Sequence, residues 1–170
     1  IHADVVSVKT PPADVILAPN TSICLLKQRS VLTRYMSRCL DALRPGGVVV
    51  IDLYAGPESQ RSGVDRHVHD EYVMIWEQRS FDGATNEARN SIHFEFQDGS
   101  SLSDAFVYDM RMWSPAELCD GLCESGFVRS RVLRKDAASC APTPSAVGDP
   151  DSWEAYVVGV KPDSRPIAAI

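Results

Sequence analysis

The densest group of chemistry-bearing side chains in this 170-residue sequence is His67-Val68-His69-Asp70-Glu71. Two imidazoles at i and i+2 share one face of a strand, an arrangement that metal sites use. His93 is the only other imidazole nearby, and no third cluster stands in a clear spacing relation to the pair, so the segment is read as a polar loop and no metal is predicted. The five cysteines (Cys24, Cys39, Cys119, Cys123, Cys140) are an odd set without a Cys-x-x-Cys pair. Neither a disulfide framework nor a zinc knuckle follows, and reduced thiols are expected. Cys119 and Cys123 stand four apart and share a helix face as core-edge thiols, with no neighbouring base to activate either. No catalytic pair is legible. The polar residues with a positional argument are Pro19, Asn20, Thr21 and Ser22 after one apolar run, and Asp52 and Tyr54 at the end of another. Open α/β sheets bind ligands at the C-terminal ends of their strands, although an Asx-type turn and a strand-end hydrogen bond account for the same residues.

The elements that would position these residues follow from the pattern. Residues 14–18 are a short apolar run flanked by prolines, which favours a buried strand. Ser30 can cap a helix with an apolar stripe at Val31, Leu32, Tyr35, Met36, Cys39, Leu40 and Leu43. Arg44-Pro45-Gly46-Gly47 ends it, and residues 48–53 form a strand that is apolar on both faces. Strand, helix and strand make a βαβ unit, hence an α/β architecture with a mostly parallel sheet. Residues 55–71 are polar, whereas 72–112 alternate like strands around Asp82-Gly83 and Asp98-Gly99, an antiparallel β meander inserted into or extending the sheet. Ser114-Pro115-Ala116-Glu117 starts a second helix with a capping box, and Trp113 with Leu118 can form a hydrophobic staple. Gly126 ends that helix before a strand through Val132, residues 137–152 make a loop, residues 153–160 make the last strand, and the tail from Pro162 is loosely ordered. A single domain is expected: 1–54 as the core unit, 55–112 as loop and insertion, 113–161 as the last helix and strands, and 162–170 as tail.

Composition limits the partners. A formal charge of −6 argues against a phosphate-backbone binder, so no nucleic acid is expected and small molecules are favoured. No run approaches the ~18 to 20 apolar residues of a membrane span, and the first residues resemble no signal peptide, which predicts a cytoplasmic protein without membrane contact. The chain opens on Ile1 and an apolar-rich stretch, which predicts a fragment or a processed product.

In order and in wording, the segment from Pro11 to Tyr54 resembles the class I S-adenosylmethionine-dependent methyltransferases: a strand ending in Asp14-Val15-Ile16-Leu17-Ala18-Pro19-Asn20, a helix, a Leu43-Arg44-Pro45-Gly46-Gly47 turn, and an apolar strand ending near an acid. Residues 113–118 and Glu124-Ser125-Gly126-Phe127 resemble that family's late helix and its passage into two last strands, which form an antiparallel C-terminal hairpin. The family's Gly-x-Gly-x-Gly loop and the acid that holds the ribose have no counterpart, because Gly46-Gly47 precedes its strand, whereas a phosphate-type loop follows one.

The resemblance therefore implies the later part of a Rossmann-like methyltransferase sheet, N-terminally truncated. It implies methyl transfer from S-adenosyl-L-methionine to an unidentified small-molecule acceptor, as part of a larger or completed fold. By the same resemblance Asp4 meets the adenine amino group, Val5 lies against the ring, and Pro19, Asn20 and Ser22 line the methionine end of the cofactor. Asp52 and Tyr54 contact the acceptor, whose specificity the meander sets. The alternative is a non-catalytic methyltransferase-like scaffold or subunit that binds no cofactor alone. A truncated sheet exposes an edge and an apolar face, which predicts a homo-oligomer or a partner chain completing it.

Overall fold

The computed structural model describes residues 1–135, 142–144 and 153–163. Two sheets carry the architecture. The first contains β1 (Ala13–Ala18), β2 (Leu43–Ala55), β7 (Arg129–Lys135), β8 (Pro142–Pro144) and β9 (Trp153–Val160), in the order β1-β2-β9-β7-β8. The second is an antiparallel sheet of β3 (Gly63–Val68), β4 (Tyr72–Asp82), β5 (Glu87–Phe96) and β6 (Ser101–Arg111), in chain order. Helices α1 (Arg29–Ala42) and α2 (Pro115–Glu124) complete the described elements, with short 3-10 turns at Ser22–Leu25 and Pro57–Gln60.

β1, α1 and β2 form the expected βαβ unit, with Val15 paired to Val48 and Ala18 to Ile51 in parallel. The sheet is not mostly parallel as expected. β9 lies between β2 and β7 and runs antiparallel to both, and β8 is antiparallel to β7, so only the β1–β2 pairing is parallel among the described strands. β1, β2 and β7 still point one way. It is the returning strand inserted between β2 and β7 that changes the count.

α1 buries Leu32, Met36 and Cys39 along the predicted stripe. Its N-cap is Gln28 rather than Ser30, because the carbonyl of Gln28 accepts from the amides of both Val31 and Leu32 and no side chain caps. At the other end Lys161 Nζ donates to the carbonyls of Leu40 and Leu43 at 2.7 and 2.6 Å, satisfying acceptors that a helix terminus leaves open. The Pro45-Gly46-Gly47 segment belongs to β2 itself. Gly46 takes φ +73°, and a Cβ on Gly47 would stand 2.9 Å from the carbonyl oxygen of Arg44 and 3.0 Å from that of Asp14. The close approach of β1 to β2 requires glycine there.

α2 begins as its sequence predicts. Ser114 Oγ accepts from the amide of Glu117, and Glu117 Oε2 accepts from the amide of Ser114 at 2.9 Å. Trp113, Leu118 and Leu122 enter the same core as Ile51, Leu53 and Val157. That core lies on one face of the first sheet, under the two helices. On the opposite face Val15, Leu17, Val48 and Val50, with Val158 and Val160 opposite them on β9, remain exposed or half-exposed. β1, whose second edge pairs with no described strand, is the most open, with Leu17 65% accessible.

The hairpins at Asp82 and Asp98 form as predicted, each aspartate accepting the amide two residues on, from Ala84 and Ser100. β3 is an addition within the segment read as a polar loop. It is an edge strand whose six residues are all exposed, so no apolar alternation marks it in the sequence. The 137–152 loop and the tail fall outside the described residues, apart from Pro142–Pro144, residues 162–163, and the backbone pairing of β8 with β7.

Candidate functional site

The C-terminal ends of β1 and β2 are joined by one carboxylate. Asn20 and Thr21 both take left-handed backbone conformations, φ 59° and 52°, which is unfavourable for a β-branched threonine. Asp52, at the end of β2, holds them there, accepting from the amide of Asn20 at 2.8 Å and of Thr21 at 2.5 Å. Ile23 and Cys24 anchor the following 3-10 turn in the core. Asp52 thus makes the strand-end hydrogen bonds, with one oxygen engaged by each amide, and leaves the side chains of Pro19, Asn20 and Ser22 exposed at the strand end.

Three cavities follow one another from this loop. A largely apolar one of about 380 Å³ lies over the open sheet face against Leu17, Pro19, Val50, Asp52 and Tyr156. A second of about 240 Å³ adjoins it between Asn20, Thr21, Asp52, Tyr54 and Glu154. The third, about 260 Å³, opens between the two sheets and is lined by Tyr54, Asp65, Trp76, Gln78, Asn90 and Met110 among others. Tyr54 lines the second and third, so the end of β2 is where the two sheets meet across open space.

The structure brings Pro19, Asn20, Asp52 and Tyr54 together, with Ser22 at the head of the adjoining turn. Asp4 and Val5 line none of these three cavities. The carboxylate of Asp4 accepts from the amide of Val6 at 3.0 Å and from Ser7 Oγ at 3.3 Å, closing a local turn, and Val5 is exposed. Trp76, Asn90 and Met110 are functional candidates that the sequence reading did not single out. The available signal was Asn90, a polar residue in phase with Ala88 and Ile92 on an otherwise apolar alternation.

Three of the thiols are held in the protonated form by burial. Burial pushes Cys24 and Cys39 up to about 11, and desolvation raises Cys119 as well. No group of three or more potential metal ligands exists among the described residues. His67 sits on β3 opposite Met74, while the His69 ring packs at a tilt against Tyr72 with centroids 4.7 Å apart. No helix among the described residues is long and apolar enough to cross a membrane.

No family model matches the chain, and no curated protein matches it. Solved structures do. The CcbJ methyltransferase of Streptomyces caelestis superposes with a TM-score of 0.70 at 16% identity, covering 94% of this chain and 62% of that one. An S-adenosylmethionine-dependent methyltransferase of Clostridium acetobutylicum gives 0.69 at 14%, covering 94% and 63%. CalS10, an amino pentose methyltransferase of Micromonospora echinaspora with S-adenosylmethionine bound, gives 0.64 at 15%, again covering 94% and 63%. The chain spans less than two thirds of the length of these structures. Across nearly all of its own length it has the fold of the class I S-adenosylmethionine-dependent methyltransferases.

Proposed function

We propose that this chain is part of an S-adenosylmethionine-dependent methyltransferase acting on a small-molecule acceptor. The observation that carries the reading is the superposition on such enzymes over 94% of the chain, together with a polar loop and consecutive cavities at the C-terminal ends of the two parallel strands. Pro19, Asn20 and Ser22 form one wall for the methionine end of the cofactor, over the apolar shelf of Leu17 and Val50. Asp4 and Val5 are proposed for the adenine, and Tyr54 for the acceptor. Asp52 acts through the loop it holds. When bound, S-adenosylmethionine would supply an electrophilic methyl group: the acceptor lone pair forms the new bond as the carbon–sulfur bond breaks, leaving S-adenosylhomocysteine and a proton to be lost by the acceptor. Such a displacement depends chiefly on alignment, which suits a site without a catalytic pair.

The residues fit the cofactor in part. A ribose-binding acid and a glycine loop are not among them, and β1 offers an edge that pairs with no described strand and an open apolar face where further strands and helices would sit. The competent site is therefore proposed to form within a larger fold or with a partner chain. The scaffold alternative is favoured by that same missing loop.

Titration calorimetry with S-adenosylmethionine and S-adenosylhomocysteine, on this chain and on a form extended at its N-terminus, separates the two. Binding only by the extended form supports the proposal. No heat from either form at millimolar ligand refutes it, and an Asp4→Ala variant with unchanged affinity removes the adenine contact.

A further inference from the structure

We infer that His93 is a pH-operated latch on the hairpin of β5 and β6, holding a bulge in β6 closed while the imidazole is neutral and releasing it once the ring is protonated. The register carries the first step. Ile92 pairs with Phe106 and Phe94 with Leu102, so His93 alone stands against Ser103, Asp104 and Ala105. Asp104 takes up the excess length with a left-handed φ of 53°. A bulge leaves ladder groups without their strand partners. Here the amide of Asp104 donates to His93 Nδ1 at 2.9 Å, and a side chain replaces the missing ladder acceptor.

That bond fixes the tautomer. A ring nitrogen that accepts from an amide carries no proton, so the proton of the neutral ring sits on Nε2, which donates to Glu77 Oε2 at 3.1 Å. Arg79 closes the group into a ring. It is the extra residue of a bulge in β4, between Gln78 and Ser80, and it donates from Nε to Glu77 Oε2 at 2.8 Å and from Nη2 to Asp104 Oδ1. Two carboxylates and one guanidinium thus face the imidazole from β4 and β6, a net negative surrounding while His93 is neutral. On β5 itself Glu95 is already engaged by Arg66 of β3.

Protonation changes which part of Asp104 the ring can hold. An imidazolium donates from both nitrogens, so Nδ1 no longer accepts from the Asp104 amide. Asp104 Oδ1 stands 3.5 Å from the same Nδ1, and both carboxylates attract the new charge. One residue therefore offers the ring a donor in one state and an acceptor in the other. The exchange frees the amide that closes the bulge. Beyond it lies the outer end of the hairpin, where Phe96 and Leu102 are exposed and Phe94 packs edge-on against Tyr72 at 5.6 Å. Release loosens that end, while the base from Asn90 and Tyr108 onward keeps its register. The latch is independent of the methyltransferase reading.

The test is ¹⁵N NMR of the chain at about pH 7.5 and about pH 5.5, a range over which imidazole changes charge. At the higher pH the His93 ring is expected to show a bare Nδ1 and a protonated Nε2, and the Asp104 amide to exchange about tenfold more slowly than an open amide. At the lower pH that protection should be lost, with the Asn90 amide unchanged. Two variants separate the ring nitrogens. His93→Asn places an acceptor that does not titrate where Nδ1 stands, and should keep Asp104 protected at both pH values. His93→Gln reaches only toward Glu77, and should leave Asp104 unprotected at both. A proton on Nδ1 at the higher pH, equal protection of Asp104 at both pH values in the parent, or a His93→Asn chain that follows the parent's pH course overturns the inference. The first two are read on the unaltered chain, so they decide the matter even where a variant does not fold.

Discussion

The two faces of the first sheet are built from the same residue types and meet different fates. Ile51 and Val157 are fully buried beneath the helices, while Leu17, one strand away on the other face, is 65% accessible. An apolar run that alternates toward both faces encodes a need for cover on both sides. Among the described residues cover comes on one side only, through the stripe of α1 and the Leu118 and Leu122 side of α2. The comparison gives its largest prediction in paired truncations. Leu122→Ala, at a position with no accessibility, should lower unfolding stability by about 2–5 kcal/mol in urea, whereas Leu17→Ala should change it by less than about 1 kcal/mol. A loss at Leu17 as large as that at Leu122 would mean that the open face is covered in solution, and sedimentation would then identify a second copy as the cover.

The next effect lies where the open face ends. Removing the carboxylate of Asp52 leaves two backbone amides without their acceptor and releases Asn20 and Thr21 from a left-handed pair. Asp52→Ala should therefore cost about 1–3 kcal/mol and speed hydrogen exchange at the Asn20 and Thr21 amides, with little change in exchange under α1. Uniformly faster exchange across the chain would show instead that Asp52 supports the whole sheet.

The closed face should also respond to pH. Burial raises the Cys24 and Cys39 thiols from 9.0 to about 11, so the folded state holds those protons more tightly than the unfolded chain does. Their contribution is complete below pH 9 and is lost as pH rises from 9 toward 11. Cys123 is exposed on α2 and should be alkylated near pH 8 in the folded chain, while Cys24 and Cys39 should resist until it unfolds. Equal labelling of the three at pH 8 would contradict the burial of the α1 side.

What the sequence made legible and what it hid divide along similar lines. The separate strands and helix of the βαβ unit, the capping box at Ser114 and the turn aspartates each rest on patterns local in sequence, and these elements form in the segments that carry the patterns. The start of α1 was displaced from Ser30 because Gln28 contributes only backbone, which leaves no residue-type signal. β3 was hidden because an exposed edge strand carries no apolar phase. The direction of the sheet was hidden because β9, about a hundred residues after β2, inserts beside it. At the site, the strand ends were legible as a place for polar groups. The grip of Asp52 on Thr21, across 31 residues, and the pairing of Asn90 with Gln78 were not, since both depend on register that only folding brings together.

The smallest effect concerns how firmly the cover itself is fastened. Ser114→Ala removes the Oγ that accepts from the Glu117 amide at 3.2 Å, yet Glu117 keeps its bond to the Ser114 amide and its ion pair with Arg111 at 3.1 Å. Half the capping box and the Arg111 contact over Trp113 survive the change. The loss should therefore lie near 0.5–1 kcal/mol, toward the lower part of the range for N-caps, with an unchanged urea m-value because no surface is newly exposed in the folded state. A larger loss with a reduced m-value would mean that α2 frays away from Leu122 and Phe127 without its cap. The closed face would then owe its cover to a few residues at one helix end rather than to the packing along its length.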